Sequence, residues 1–442
     1  MPVKKILKKV APKKALSAYH YGMAILSAIV YRFPSRKMVV IGITGTKGKT
    51  STANFIWACL NEAGLKTGLI GTANIRIGQK ELLNKYHMTM PGRFKLQRLM
   101  RKMLKAGCKY VVMEVTSEGI NQWRHKGINF DIVIFTNLTP EHLTSHGGSF
   151  ENYKNAKGKL FDLLSKSRRK KIGGNLIKKM IIVNADSPHK DFFMQFEADI
   201  KKTFGIMIGE ADAVAKDIKD TYDGVEFFID EKKHELSIMG DFNVYNALPA
   251  VVIGSSLGIP ADAIQRGLKS LKLIPGRMEK IDEGQDFTVI VDYAHEKESM
   301  TAVLNTAKKI IKDTDNKIIV LLGAEGGGRD KAKRPIMGEI AAKKANYVIV
   351  SNVDPYEDDP VEILEDIAVE AQKHGKIRNE NLFVIEDRRE GIRKALSLAK
   401  KDDLVIITGK GAEQSIVIGG ISSEWDDRKV VREELEAISN KQ

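Results

Sequence analysis

An apolar run, Met38 to Ile43, enters the turn Gly45-Thr-Lys-Gly-Lys-Thr50, and a helical pattern from Ala53 to Leu60 leaves it. No other stretch constrains the chain so strongly. A buried strand, a glycine-rich turn and a helix N-terminus form a phosphate cradle, because successive backbone N–H groups converge on an anion and the helix dipole favours negative charge there. In such a loop Gly45, Thr46, Lys47 and Gly48 supply backbone donors. The Lys49 ammonium reaches terminal phosphates, and the Thr50 hydroxyl, with Ser51 beside it, is placed to hold Mg²⁺. The commoner eight-residue loop has glycine where this chain has Ile43. The bland alternative is a turn with no ligand, and the Lys-Thr pair after the second glycine argues against it.

Beyond residue 37, apolar runs alternate with amphipathic helical segments. Tyr110–Val115, Ile132–Asn137, Met180–Asn184, Thr288–Val291, Lys317–Leu322, Tyr347–Ser351, Leu382–Ile385 and Leu404–Ile407 read as buried parallel strands. The expected fold is α/β: a phosphate-loop central ATPase domain with a mostly parallel sheet over 37–275, then a Rossmann-like α/β domain over 276–442. Pro275-Gly276-Arg277 is the expected hinge. Residues 199–238, with short alternating runs around Gly224–Ile229, read as hairpins at a sheet edge. Cys59 and Cys108 sit in apolar contexts and are expected to be buried thiols of a reducing, cytoplasmic protein.

Residues 1–36 form a segment of their own. Six lysines lie within residues 1–14, and Ala15 to Phe33 is mostly apolar. Its uninterrupted apolar part is about half of what a membrane-spanning helix needs. A helix over 15–33 packed on the body is expected, with peripheral membrane contact through residues 1–33 as the competing reading. The net charge of +15 suits acidic small molecules, and no aromatic-and-basic interleaving points to nucleic acid.

Glu114 ends one predicted strand and His142 follows the next. Ligands of open α/β sheets gather at the C-terminal ends of strands, where the phosphate loop also lies. Thr50, Glu114 and His142 are therefore candidates to converge on divalent ions bridging ATP oxygens.

In these blocks the sequence resembles the Mur ligases, ATP-dependent amide-forming enzymes of cell-wall synthesis, and within them the muramoyl-tripeptide synthetase (MurE-type) branch. The resemblance runs from about Lys37 to the C-terminus. It rests on Gly45–Thr50, Glu114-Val-Thr-Ser117, Thr136-Asn-Leu138, His146-Gly147, Tyr153-Lys-Asn-Ala-Lys157, Asn184-Ala-Asp186, Gly240-Asp-Phe-Asn243, Pro275-Gly-Arg-Met-Glu279, Val291-Asp-Tyr-Ala-His295, Gly328-Arg-Asp-Lys331, Gly409-Lys-Gly411 and Asp426-Asp-Arg428, in that order. It implies ATP and Mg²⁺ as cofactors, an acyl-phosphate intermediate, and small-molecule partners: an acidic muramoyl-peptide acceptor and an amino acid. A monomer is expected.

The resemblance also implies roles. Lys49, Glu114, His142 and Lys157 are catalytic. Thr50, Glu114, His142 and Lys157 serve the metal, with Lys157 carbamylated by CO₂ so that an anion replaces an ammonium. Asn243, Asn246, Arg277, Asp292, Tyr293 and His295 contact ATP. Thr89, Ser117, Gln122 and Arg124 face the acceptor, with Arg124 suited to a carboxylate. Arg329, Asp354, Tyr356, Gly409 and Glu413 line the amino-acid site.

Three departures matter. Met90 stands where a second threonine is common, and Glu118 where histidine is common. Val353-Asp-Pro-Tyr356 lacks the arginine that diaminopimelate users carry at the last place. Asp354 and Glu413 would then favour a cationic side-chain amine, so lysine or ornithine is expected over diaminopimelate. Thirdly, residues 1–36 are too few for the uridine-binding domain of the ordinary enzyme, which leaves a folylpolyglutamate-like, poly-amino-acid or lipid-linked acceptor as the alternative. A GTPase is disfavoured because no Asn-Lys-x-Asp motif is evident.

Overall fold

The strand Val39–Thr44 is buried along its whole length and lies inside a nine-stranded sheet. The computed structural model describes residues 13–440 apart from 87, 142, 208, 222, 312 and 314. Across the sheet the strands run Ala213–Val214, Ile200–Gly205, Met180–Asn184, Ile132–Phe135, Val39–Thr44, Tyr110–Glu114, Thr67–Ile70, Asn74–Ile77 and Lys80–Leu83. The first seven are parallel, and the last two close the sheet as an antiparallel hairpin. Register aligns Ile43 with Glu114 and Thr44 with Phe135, so three neighbouring strands end together at the phosphate loop.

Side chains alternate across a strand, and here both faces are covered. Val39, Ile41 and Ile43 pack with Phe55 and Ile56 of the helix Lys49–Glu62. Met38 and Val40 pack on the other side with Leu96, Met100 and Phe161. The helix Lys49–Glu62 lies against two others, Phe242–Ser256 and Ala261–Ser270. A Cβ on Gly267 would stand 2.5 Å from Cys59 Cα, so that approach requires glycine.

A second sheet, in the order Glu279–Ile281, Thr288–Asp292, Leu404–Thr408, Ile318–Leu322, Tyr347–Val350, Leu382–Val384, is parallel except for its first strand. Mixed α/β architecture with mostly parallel sheets is as the sequence implied. Cys59 and Cys108 are buried free thiols.

Two expectations need correction. Ile200–Gly205 is not an edge hairpin but a parallel strand of the main sheet. The hairpins start later, and Lys216–Thr221, Gly224–Ile229 and Lys232–Leu236 make a separate three-stranded antiparallel sheet. The Pro275-Gly-Arg277 segment is locally tied. Ile274 bridges Arg277, and a Cβ on Gly276 would meet the Ala412 nitrogen at 2.1 Å.

The N-terminal helix spans Lys13–Val30, not 15–33. Arg32 and Phe33 take left-handed backbone angles (φ 58° and 46°) before Pro34, which ends it. It packs against the helix Arg93–Lys105, burying Ala24, Ser27 and Ala28. Trp123, at φ 58°, donates its indole N–H to Ser17 Oγ at 2.7 Å.

Candidate active site

The phosphate loop is held open by its neighbours. Gly45 (φ 153°) and Gly48 (φ 80°) take angles that favour glycine. A Cβ on Gly45 would lie 1.9 Å from Thr136 Oγ1. Asn137 accepts from the Thr46 N–H through its carbonyl (2.9 Å) and from the Lys47 N–H through its side chain (2.8 Å). Thr136 Oγ1 donates to the Lys47 carbonyl at 2.7 Å. Lys49 Nζ folds back onto the carbonyls of Gly45 and Thr46 at 3.0 and 2.8 Å. Its pKa is lowered by burial, against the opposing pull of Glu114 and Glu141. Thr50 and Ser51 are buried at the helix start.

Glu114 is fully buried at its strand end. Thr72 donates to its two oxygens, from the backbone N–H at 2.7 Å and from the hydroxyl at 2.9 Å. The Thr72 hydroxyl also meets Thr89 Oγ1 at 2.9 Å. Thr72 thus joins a candidate metal residue to a candidate acceptor residue. Sequence reasoning missed it, and its only signal was its place after a strand.

Lys157 is not a surface lysine. It is 2% exposed, on the helix Phe150–Lys166, and donates to the Gly45 carbonyl at 2.8 Å. Burial, reinforced by the neighbouring Lys49, pushes its pKa well down. A buried amine against the phosphate loop fits a metal only after losing its positive charge. With the Thr50 hydroxyl and Glu114 carboxylate, a carbamate there would supply oxygen donors suited to Mg²⁺. His142 lies outside the described residues. His146, four residues later in the sequence, bonds Ser117 Oγ at 3.0 Å, and burial with nearby Lys157 lowers its pKa.

The acceptor candidates adjoin this centre. Gln122 Oε1 accepts from Arg124 Nε and Nη2 at 3.1 and 2.7 Å, and Arg124 Nη1 donates to the Met90 carbonyl. Arg124 is therefore braced from two sides.

Asn243 and Asn246, on the first turn of Phe242–Ser256, bond to each other at 2.9 Å. Asn246 Oδ1 lies where a Cβ on Gly48 would be 2.2 Å away, so this helix abuts the loop. From the second sheet, Arg277 stacks on the Tyr293 ring at 4.3 Å. Asp292 accepts from Met278 N–H (2.8 Å) and Ala294 N–H (2.7 Å), which ties the Arg277–Met278 segment to the one that carries Tyr293 and His295. His295 is driven down to about 3 by burial and then by Lys47, so it is neutral. Glu141, His295 and Glu296 have ligand atoms within 4.8 Å of one another. Lys47 pairs with Glu141, and Lys333 with Glu296 at 3.0 Å, so cations already balance that cluster.

The expected amino-acid site differs in one respect from its sequence reading. Asp354 and Glu413 are not open acids. Lys410, 1% exposed, donates to both at 2.6 and 2.7 Å. Burial depresses its pKa, but Glu413 and Asp354 outweigh it and hold the ammonium above its usual range. Tyr293 OH donates to Glu413 Oε1 at 3.1 Å, linking this cluster to the Arg277 stack. Tyr356, at φ 56°, hydrogen-bonds Arg329, and Gly409 carries φ 108°. Lys410 lay in the Gly409-Lys-Gly411 block, but its spacing alone did not reveal the ion triad.

A glycine-rich loop at the C-terminal edge of a parallel sheet, ahead of a helix N-terminus and beside a second parallel α/β unit, is the arrangement of an enzyme that binds a nucleotide's phosphates. Two family descriptions match in tandem: the Mur ligase middle domain over residues 43–254 and the Mur ligase glutamate ligase domain over 276–411. The UDP-N-acetylmuramyl-tripeptide synthetase of Roseiflexus sp. is 36% identical over 420 residues, covering 93% of this chain and 81% of that protein. A UDP-N-acetylmuramoyl-L-alanyl-D-glutamate–2,6-diaminopimelate ligase of Caldanaerobacter subterraneus is 38% identical over 417 residues, with the same coverage. Among solved structures, a ligase of that same name superposes with a TM-score of 0.60 at 27% identity, covering 91% of this chain and 79% of its own. Mycobacterium tuberculosis folylpolyglutamate synthase, at 18% identity and TM-score 0.66, shares the fold over 93% and 95% of the two chains. The chain belongs to the Mur ligase family and is an ATP-dependent, ADP-forming ligase.

Proposed function

We propose that this ligase adds a diamino acid, lysine or ornithine in preference to diaminopimelate, to the glutamate carboxylate of a muramoyl-dipeptide acceptor. The observation that carries the reading is the meeting of Lys49, Lys157 and the Gly45 carbonyl at one point, with Glu114, Thr72 and Thr89 leading from the neighbouring strand end toward Arg124. Relatives that share most of their length with this chain carry muramoyl-peptide names.

A carboxylate acylates poorly. Its oxygen attacks the ATP γ-phosphorus, ADP leaves, and the resulting acyl phosphate accepts the amine with loss of phosphate. Several anions must gather for this, so fixed positive charge and oriented donors carry the catalysis. The helix start at Gly48–Thr50 and the Lys49 ammonium hold the phosphates, since the Thr46 and Lys47 N–H groups already donate to Asn137. Arg124 orients the acceptor carboxylate, and Arg329 the amino acid's carboxylate. Asn243, Asn246, Arg277 and His295 close over the nucleotide. Thr50, Glu114, His142 and carbamylated Lys157 would hold Mg²⁺, which neutralises phosphate charge when bound.

The amino-acid preference rests on two features. Tyr356 offers no cation to a distal carboxylate, and burying one unpaired costs several kcal/mol. Lys410 offsets only one of the two acids, Asp354 and Glu413, so the cluster keeps a negative charge for an incoming ammonium. Phosphate release with a UDP-muramoyl-dipeptide acceptor and lysine, ornithine or diaminopimelate, side by side, tests both parts. No turnover with any of the three removes the acceptor assignment. A strong preference for diaminopimelate removes the amino-acid assignment.

A further inference from the structure

From Ala15 to Tyr31 the chain contains no Asp, Glu, Lys or Arg. The helix built from it uses one face for packing, through Ser17, Ala24, Ser27 and Ala28. The opposite face is an apolar stripe. Tyr19, Gly22, Leu26, Ile29 and Val30 recur at intervals of three and four and share one side of the helix. Tyr19 is 58% exposed, Leu26 47%, Ile29 55% and Val30 56%. Single exposed apolar residues are ordinary, but a continuous uncharged stripe marks an interaction site.

The sequence on either side of the helix is basic. Six lysines lie in residues 1–14, and exposed Arg32, Arg36 and Lys37 follow the helix. The helix packed alongside, Arg93–Lys105, holds six Lys and Arg and no acid, with Lys95, Arg98, Lys102 and Lys105 exposed. Among the described residues no helix is long and apolar enough to cross a membrane. Apolar residues on one face, tyrosines beside them and cations at both ends are the pattern of a helix that lies in a bilayer interface.

We propose that the Lys13–Val30 helix is an interfacial membrane helix that lays Tyr19, Leu26, Ile29 and Val30 into an anionic bilayer, with the flanking cations on the headgroups. Each basic residue near such a surface adds attraction, screened beyond a Debye length of about 8 Å at physiological salt. Because Ser17 bonds Trp123, next to Gln122 and Arg124, the docked helix would bring the acceptor side of the enzyme to the membrane.

The test is sedimentation of the full chain with vesicles of phosphatidylcholine, with and without phosphatidylglycerol. The wild type is expected to bind the anionic vesicles about tenfold better than the neutral ones. Leu26→Gln/Ile29→Gln is expected to lose that binding about tenfold, with its unfolding midpoint and ligase turnover unchanged. Absence of wild-type binding overturns the proposal. So does equal binding by the double variant, which would assign the attraction to lysines alone. A wild-type dimer in solution that the double variant abolishes would assign the stripe to a second copy instead.

Discussion

Replacing Lys410 by Met removes one ammonium from between two carboxylates. In the wild type, Lys410 Nζ reaches Asp354 Oδ2 and Glu413 Oε2, and its side chain is 1% exposed. After the change, Asp354 keeps the Val417 N–H (2.8 Å) and Glu413 keeps the Tyr293 hydroxyl (3.1 Å). Those neutral donors do not replace a charge. Breaking a buried ion pair from one side costs about 3–5 kcal/mol. Glu413 retains about a quarter of its side-chain exposure (26%), so the low end, about 3 kcal/mol at pH 8, is expected.

The loss should depend on pH. Burial already raises Glu413, and without Lys410 to oppose it the folded-state pKa rises further above the unfolded value. An acid raised on folding stabilises below its unfolded pKa and loses that contribution as pH climbs through the folded one. The Lys410→Met defect should therefore be small near pH 5 and grow toward pH 8. Adding Glu413→Gln should recover part of the loss, because the stranded charge is gone. Denaturant unfolding of the single and double variants across that range measures both. A Lys410→Met protein as stable as the wild type at pH 8, or a defect independent of pH, would refute the triad.

Lys157→Ala should abolish most ligase turnover while ATP still binds, with partial recovery in a short carboxylic acid. Full activity at low CO₂, measured by phosphate release, contradicts the carbamate. Gly48→Ala places a Cβ 2.2 Å from Asn246 Oδ1 at φ 80°. ATP affinity by calorimetry should fall by about tenfold or more, since about 1.4 kcal/mol of strain is a factor of ten. Unchanged affinity would show that the loop and Asn246 move apart freely. Asp131→Asn strands buried Lys170 and Lys179, both paired to Asp131, and should cost about 3–5 kcal/mol in denaturant unfolding. A loss below about 1 kcal/mol would mean that the carbonyls of Ser35, Met38 and Phe130 suffice.

The central strands were legible because parallel strands buried on both faces read as unbroken apolar runs. Val39–Thr44 and Tyr110–Glu114 are such runs, and the glycines of the loop between strand and helix carry their own signal. Ile200–Gly205 was not legible, since its Lys201 and Lys202 give it the look of an edge hairpin. The short hairpin Asn74–Leu83 was unread for the same reason. Lys157 read as a surface residue by pattern and only the resemblance raised it, because burial of one lysine depends on where its helix lands. Thr72 and Lys410 show the general limit. Each joins residues far apart in the chain, Thr72 with Glu114 and Thr89, and Lys410 with Asp354, and pairings of that range leave no periodicity to read.

The measurement closest to the central claim follows oxygen. The ligase is run with ATP, a diamino acid and the muramoyl-dipeptide acceptor whose free glutamate carboxylates carry ¹⁸O, and the released phosphate is analysed by mass. An acyl phosphate retains the bridging carboxylate oxygen, and attack of the amine expels it with the phosphate. The account predicts one labelled oxygen in each phosphate formed at Lys49 and Arg124. Amide formation with unlabelled phosphate would contradict it.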